Sequence, residues 1–284
     1  MTPQRRAGAW RREEEDVGSI GRARIRAFVA LVAIVATAPA RAAPERAGPP
    51  PREVFRVDLV IDGAVIAAAG LGNLVPWLLE DQLIAVRCPC DPAEVNRLDR
   101  WAIGLHSDAA AHASQATVYL AMIVPPLADW AVLGWSRPLL QDAVVFAETL
   151  AVNGALTTLA KFTLQRPIPR AYEGDPAYLR EPGSYRAFWS GHTSTTVAAL
   201  TDAAWTIRLR YGERRWPWLV AAVAGASVGV ERVWGGHHFP SDVVVGFVAG
   251  AVVGTAVPLL HARRDQAPIA LAPLGRGLAL VGRF

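Results

Sequence analysis

Three polar stretches of this 284-residue chain lie at the ends of apolar runs and hold residue types suited to handling an anion. They are "KFTLQRPIPR" (Lys161 to Arg170), "FWSGHTSTT" (Phe188 to Thr196) and "ERVWGGHHFPSD" (Glu231 to Asp242). "SGHTS" puts a glycine and hydroxyl residues where an apolar helix starts. The free backbone N–H groups and the helix dipole there favour an anion. His192 sits just inside that start, and Lys161, Arg166 and Arg232 add positive charge. His238 and Asp242 are four residues apart, so the carboxylate can hold one imidazole nitrogen and leave the other free to attack. A cationic cradle with an oriented histidine and a second histidine makes a phosphoryl-transfer site. Taken singly, "SGHTS" is an ordinary helix cap, and "HFPSD" is a turn followed by a cap. The information lies in the order and spacing of all three.

The chain has a single lysine, Lys161, in a strongly arginine-biased composition. Lysine offers a compact, mobile point charge for phosphate, where arginine offers a planar fork. The net charge of +4 carries no zinc-finger or RNA-recognition pattern, so no nucleic-acid role is read from it. The only cysteines, Cys88 and Cys90, form a C-x-C pair. Without further ligands nearby this points to a tight disulfide or two free thiols rather than a metal site.

The elements that must position these groups are apolar. Hydrophobic residues make up 52% of the chain and the mean hydropathy is +0.23. Apolar segments are expected at about 57–79, 116–135, 139–162, 193–209, 216–230 and 242–260. They are rich in the small residues of packed membrane helices. Several carry one acid (Asp58, Asp62, Asp129, Glu148 or Asp202) that has to face the bundle interior. The arginine-rich links "RLRYGERR" and "HARRDQ" place those helix ends in the cytoplasm by the positive-inside rule. The three polar stretches then share the opposite side. Residues 1–50 read as a secretory-type or anchor segment followed by a proline-rich linker. Residues 51–265 read as one helical domain, and 266–284 as a tail that forms a short hairpin or an unstructured end. Asp58 and Asp62 weaken 57–79 as a span, which favours a peripheral placement.

Together the stretches resemble the type 2 phosphatidic acid phosphatase (PAP2) family, which shares its fold and site with vanadium haloperoxidases. The family pattern is Lys-x6-Arg-Pro, then Pro-Ser-Gly-His, then Ser-Arg-x5-His-x3-Asp. The resemblance covers about 116–262 and implies an all-α, membrane-embedded bundle of about six apolar helices in a bacterial inner membrane, with a periplasmic site. It implies His238 as the nucleophile, Asp242 orienting it and His192 as the general acid. Lys161, Ser190, Gly191 and Arg232 would hold phosphate oxygens. The substrate would be a lipid phosphate, and no metal or cofactor is implied. Three positions depart from the pattern. Trp189 replaces the proline before Ser190, Glu231 replaces the serine before Arg232, and Ile168 stands where the first motif has its arginine. Pro167 stops the helix there, so Arg166, two residues early, or Arg170, two late, has to serve, with Arg166 the preferred phosphate ligand. A vanadate-dependent haloperoxidase and a non-catalytic lipid-phosphate binder are the alternative readings.

Overall fold

The polar links between the apolar runs supply the residues that start and stop helices. In the computed structural model, residues 52–263 other than 89 and 175 are described, together with the backbone of 269–274 and 277–282. Among them are six long helices: α1 (Leu59–Leu78), α2 (Asp108–Leu133), α3 (Arg137–Leu164), α4 (Gly191–Tyr211), α5 (Trp216–Trp234) and α6 (Pro240–His261). Asp58, Ser107, Ser136 and Ser190 cap the first four through their side chains. Each satisfies a backbone N–H that has no partner within the helix. α6 starts on Pro240, and Asp242 reaches back to accept the Phe239 N–H at 2.8 Å. Gly134 and Gly212 end α2 and α4 at positive φ. The predicted signal-like run at 28–42 lies outside the described residues. The C-terminal residues form an antiparallel hairpin, β1 (Ile269–Leu274) with β2 (Gly277–Gly282), Ile269 pairing with Gly282.

α4 is the central helix, packed against α2, α3, α5 and α6. Its interface with α6 is unusually close. Gly246, Gly250 and Gly254 form a four-residue repeat along one face of α6. A Cβ at these positions would lie 2.6, 2.3 and 2.4 Å from the carbonyl oxygens of Ser190, Ser194 and Ala198. Only glycine permits that approach, which is how small residues bring membrane helices together. The same contact sets the start of α4 beside the start of α6, and the Ser190 N–H donates to the Asp242 carbonyl at 3.0 Å.

Four helices, α1, α2, α3 with its continuation, and α6, are long and apolar enough to cross a membrane. Only 6% to 39% of their apolar windows is buried, so most of their hydrophobic side chains face outward. A bundle evolved for water would bury them instead. The expectation of about six apolar helices is therefore met as six long helices, four of them with span-like composition. α4 falls short because it is enclosed by protein and keeps Thr193, Thr196, Thr201, Asp202 and Thr206 buried.

Two of the acids inside the bundle are paired. Asp202 accepts from Thr149 at 2.6 Å, and Asp142 takes a two-pronged pair from Arg210 at 2.5 and 2.8 Å. The 57–79 segment, expected to be peripheral, forms α1, which has the length and composition of a span. Asp58 is a helix cap, Asp62 is turned inward and 7% exposed, and α1 packs along α3. Neither acid has to face lipid.

Candidate active site

A cavity of about 360 Å³ lies at the end of the bundle where α3 and α5 stop and α4 and α6 start. It is lined by Lys161, Ile168, Arg186, Gly191, His192, Arg232, His237 and His238, with Asn73 and Trp77 from the end of α1. Sequence positions far apart therefore converge because alternate helices run in opposite directions. Lys161, 7% exposed on the last turn of α3, donates to the Arg186 carbonyl at 2.5 Å. Gly191 opens α4 toward it, and a Cβ there would meet the Lys161 chain at 3.6 Å. The Gly191 and His192 amides lie in the first turn, where the helix itself cannot bond them. His192 Nε2 meets Gln115 Oε1 of α2 at 3.0 Å, and an oxygen acceptor there places the ring proton on Nε2.

His238 lies in the turn before α6, 4% exposed. Its Nδ1 faces Asp242 Oδ2 at 3.8 Å and has no hydrogen-bond partner. Asp242 is therefore adjacent to the imidazole, as the four-residue spacing requires, but beyond hydrogen-bond reach. Burial holds the His238 pKa well below its ordinary value, and the charges of Lys161 and Arg232 push in the same direction. His237 is pushed down to about 4 for the same reasons, burial first and then Arg232 and Arg170. A depressed histidine pKa favours the uncharged ring, so His238 is expected to stay neutral as pH falls through 6.5 and to protonate only in more acidic solution. Histidine-selective ¹⁵N NMR, with His238→Gln for assignment, checks this. A His238 midpoint at or above 6.5 would contradict the geometry.

Three groups expected to hold phosphate lie off the cavity lining. Arg166 does not line the cavity. Its guanidinium donates to Asp242 Oδ1 at 2.6 Å, Ser241 Oγ at 2.7 Å and Asp99 Oδ2 at 2.8 Å, and it lies 4.3 Å from the centre of the Phe239 ring. Its side chain is committed to holding Asp242 from behind. Arg170 does not fill the gap either, since it bonds the Tyr178 hydroxyl at 2.8 Å and faces a separate recess. The Ser190 side chain is likewise occupied with the α4 cap, meeting Thr193 Oγ1 at 2.9 Å, and is not among the lining groups. Of the departures from the motif, Trp189 donates its indole N–H to Thr157 at 2.9 Å. Glu231 accepts from Ser227 at 3.2 Å and stays out of the cavity.

Three residues were missed by sequence reading. Arg186 lines the cavity, stacks 4.0 Å from the Trp77 ring and pairs with Glu80. Gln115 holds His192. Asp99 is fully buried and accepts the Ser241 N–H at 2.9 Å as well as the Arg166 fork. Burial pushes the Asp99 carboxyl up, but the hydrogen bonds from Ser241 and Arg166 outweigh it and hold the pKa below the usual carboxylate value. The Arg186 and Arg232 Nε groups are both buried without partners. Buried donors in that state are uncommon, and both of these belong to residues that line the cavity.

Comparison with known proteins finds a partial match over this constellation. The sequence profile of the PAP2 superfamily matches residues 142–266, the segment that carries Lys161, His192, Arg232, His238 and Asp242. The chain is similar to the lipid A 1-phosphatase of Porphyromonas gingivalis, 31% identical over 124 residues. That stretch is 42% of this chain and 23% of the relative, so the chain spans about a quarter of the relative's length. Two solved structures also resemble it. Aquifex aeolicus LpxE is 22% identical, covering 58% of this chain and 96% of its own with a TM-score of 0.41. The transmembrane PAP2 type phosphatidylglycerolphosphate phosphatase from Bacillus subtilis is 16% identical, covering 70% and 91% with a TM-score of 0.40.

Proposed function

We propose that the protein is a membrane phosphatase that removes a phosphate from a lipid phosphate or pyrophosphate through a phosphohistidine. The observation that carries this reading is the convergence of Lys161, Arg186 and Arg232 with two histidines on one cavity. The phosphoryl oxygens would lie among Lys161, Arg186, Arg232 and the amides at the start of α4. Lys161, Arg232 and the amides are held in place before substrate arrives, so they stabilise the charge that develops in the transition state without rearranging. Asp242 closes on Nδ1 of His238, which leaves Nε2 to attack phosphorus. As the N–P bond forms, the bond to the leaving oxygen breaks, and His192, protonated on both ring nitrogens by a proton taken up with the phosphate anion beside it, gives the Nε2 proton to that oxygen in place of Gln115 and is left as the neutral ring. His192, now able to accept a proton, takes one from water, whose oxygen displaces His238 and releases inorganic phosphate.

A non-cytoplasmic placement of the cavity fits two features. Arg208, Arg210, Arg214 and Arg215 lie at the other end of the bundle. The Cys88–Cys90 disulfide belongs to the cavity end, where the Cys88 N–H bonds the Tyr185 hydroxyl, and disulfides persist in oxidising compartments. A headgroup can then enter while its chains remain beside the outward-facing apolar helices.

The test is phosphate release by the purified chain in detergent from phosphatidate, phosphatidylglycerol phosphate, a lipid A phosphate and undecaprenyl pyrophosphate. Release from at least one, inhibited by vanadate and accompanied by a trapped acid-labile phosphoenzyme, is expected. Binding of these lipids with no turnover would overturn the proposal.

A further inference from the structure

At the opposite end of the bundle, three potential metal ligands meet in a place the phosphatase reading does not use. Asp62 of α1, Glu148 of α3 and His261, the last residue of α6, bring ligand atoms within 4.8 Å of one another. Glu148 and Lys161 are thirteen residues apart on α3, which separates this cluster from the active site by about 20 Å at 1.5 Å per residue.

The polarity of the histidine is the decisive detail. His261 Nδ1 meets the Val257 carbonyl at 2.9 Å. A carbonyl only accepts, so Nδ1 carries the ring proton, and in the neutral ring Nε2 presents a lone pair. That lone pair faces Asp62 Oδ1 at 3.4 Å and Glu148 Oε2 at 3.5 Å. Both separations are longer than an ordinary N–H···O bond of about 2.7–3.2 Å. Glu148 is 8% exposed, and the oxygen it aims into the cluster has no hydrogen-bond partner. Three such groups around one point, two of them carboxylates inside an apolar bundle, need a positive charge between them, and a divalent metal ion supplies it with all three as ligands.

We propose that Asp62, Glu148 and His261 form a structural site for a first-row divalent cation, with zinc the best match. One imidazole and two carboxylates are zinc donors, and bonds of about 2.0–2.1 Å in a tetrahedron place ligand atoms about 3.3–3.4 Å apart. The observed 3.4 and 3.5 Å fit that spacing. Two of the ligands are already oriented from behind. Val257 fixes the ring of His261, and the Asp58 N–H donates to the other oxygen of Asp62 at 2.8 Å. Such outer contacts are the usual partners of metal-ligating side chains. The cation cancels the charge of the two carboxylates and ties α1, α3 and α6 together. It does so beside the chain pairing of Phe55 with Ala262, where the Arg56 N–H bonds the His261 carbonyl at 2.8 Å.

The test uses the full chain without a polyhistidine tag, stripped with chelator, given zinc and passed through gel filtration in detergent. About one equivalent of zinc retained per chain, with a rise in Tm over the stripped protein, is expected. His261→Ala and Glu148→Gln should each lose that equivalent and the zinc-dependent rise. Glu148→Gln keeps the side-chain volume, so it decides the matter if the histidine variant does not fold. No zinc retained by the wild type, or equal retention by wild type and Glu148→Gln, overturns the proposal.

Discussion

Replacing His238 with alanine is expected to lower phosphate release by about 10⁴-fold or more, the scale on which loss of a covalent nucleophile is felt. No trapped phosphoenzyme should form. His238 is the residue for which no neighbour can substitute. His237 lines the same cavity, but the carboxylate four residues on from His238 faces the His238 ring. The proposed phosphate ligands are untouched by the change, so the variant should still bind vanadate or a lipid phosphate while failing to turn over. A His238→Ala protein with more than a few per cent of wild-type activity would exclude the phosphohistidine route.

The second large effect is expected at Arg186. Arg186→Ala should reduce turnover by about 10²–10³-fold, the usual cost of losing one donor aimed at transition-state charge. Its stability should change little. Glu80, the partner it leaves, is about one-third exposed and can be solvated. Arg166→Ala should behave differently. It strands Asp99 and Asp242, both fully buried, and breaking such a pair costs about 3–5 kcal/mol. Urea unfolding and initial rates on the two variants separate the roles. Because Ile168 lines the cavity, Ile168→Arg in the Arg186→Ala background should recover part of the lost turnover. Full activity in Arg186→Ala would remove the residue from the site.

The exchange between Arg166 and Arg186 shows where the sequence was readable. The third motif was legible because its residues lie in one short turn and the first turn of α6, where spacing along the chain is spacing in the structure. The helices were legible from their apolar runs and capping residues. Counting from Lys161 failed because α3 ends at Leu164 and Gln165 adopts a left-handed conformation. The chain then folds back on itself, with the Ile168 N–H bonding Ser184 and the Ala187 N–H bonding Arg166. That return places Arg186 in the cavity and turns Arg166 away from it. Asp99 and Gln115 lie outside the three motifs and carry no local signal. The four-span composition was only partly visible, because a central helix such as α4 faces protein and is free to be polar.

The glycine repeat of α6 has a thermodynamic consequence. It locks the starts of α4 and α6 backbone to backbone, so the Gly191 amides, His192, His238 and Asp242 belong to one rigid body. The conformational entropy of assembling the nucleophile and the anion-binding turn is lost when the chain folds, not when substrate arrives. Phosphate binding should then carry a small entropic penalty from the catalytic half of the cavity. What adjusts from one lipid to another is left to the Trp77–Arg186–Glu80 side, which is joined to that body through side chains rather than helix backbone.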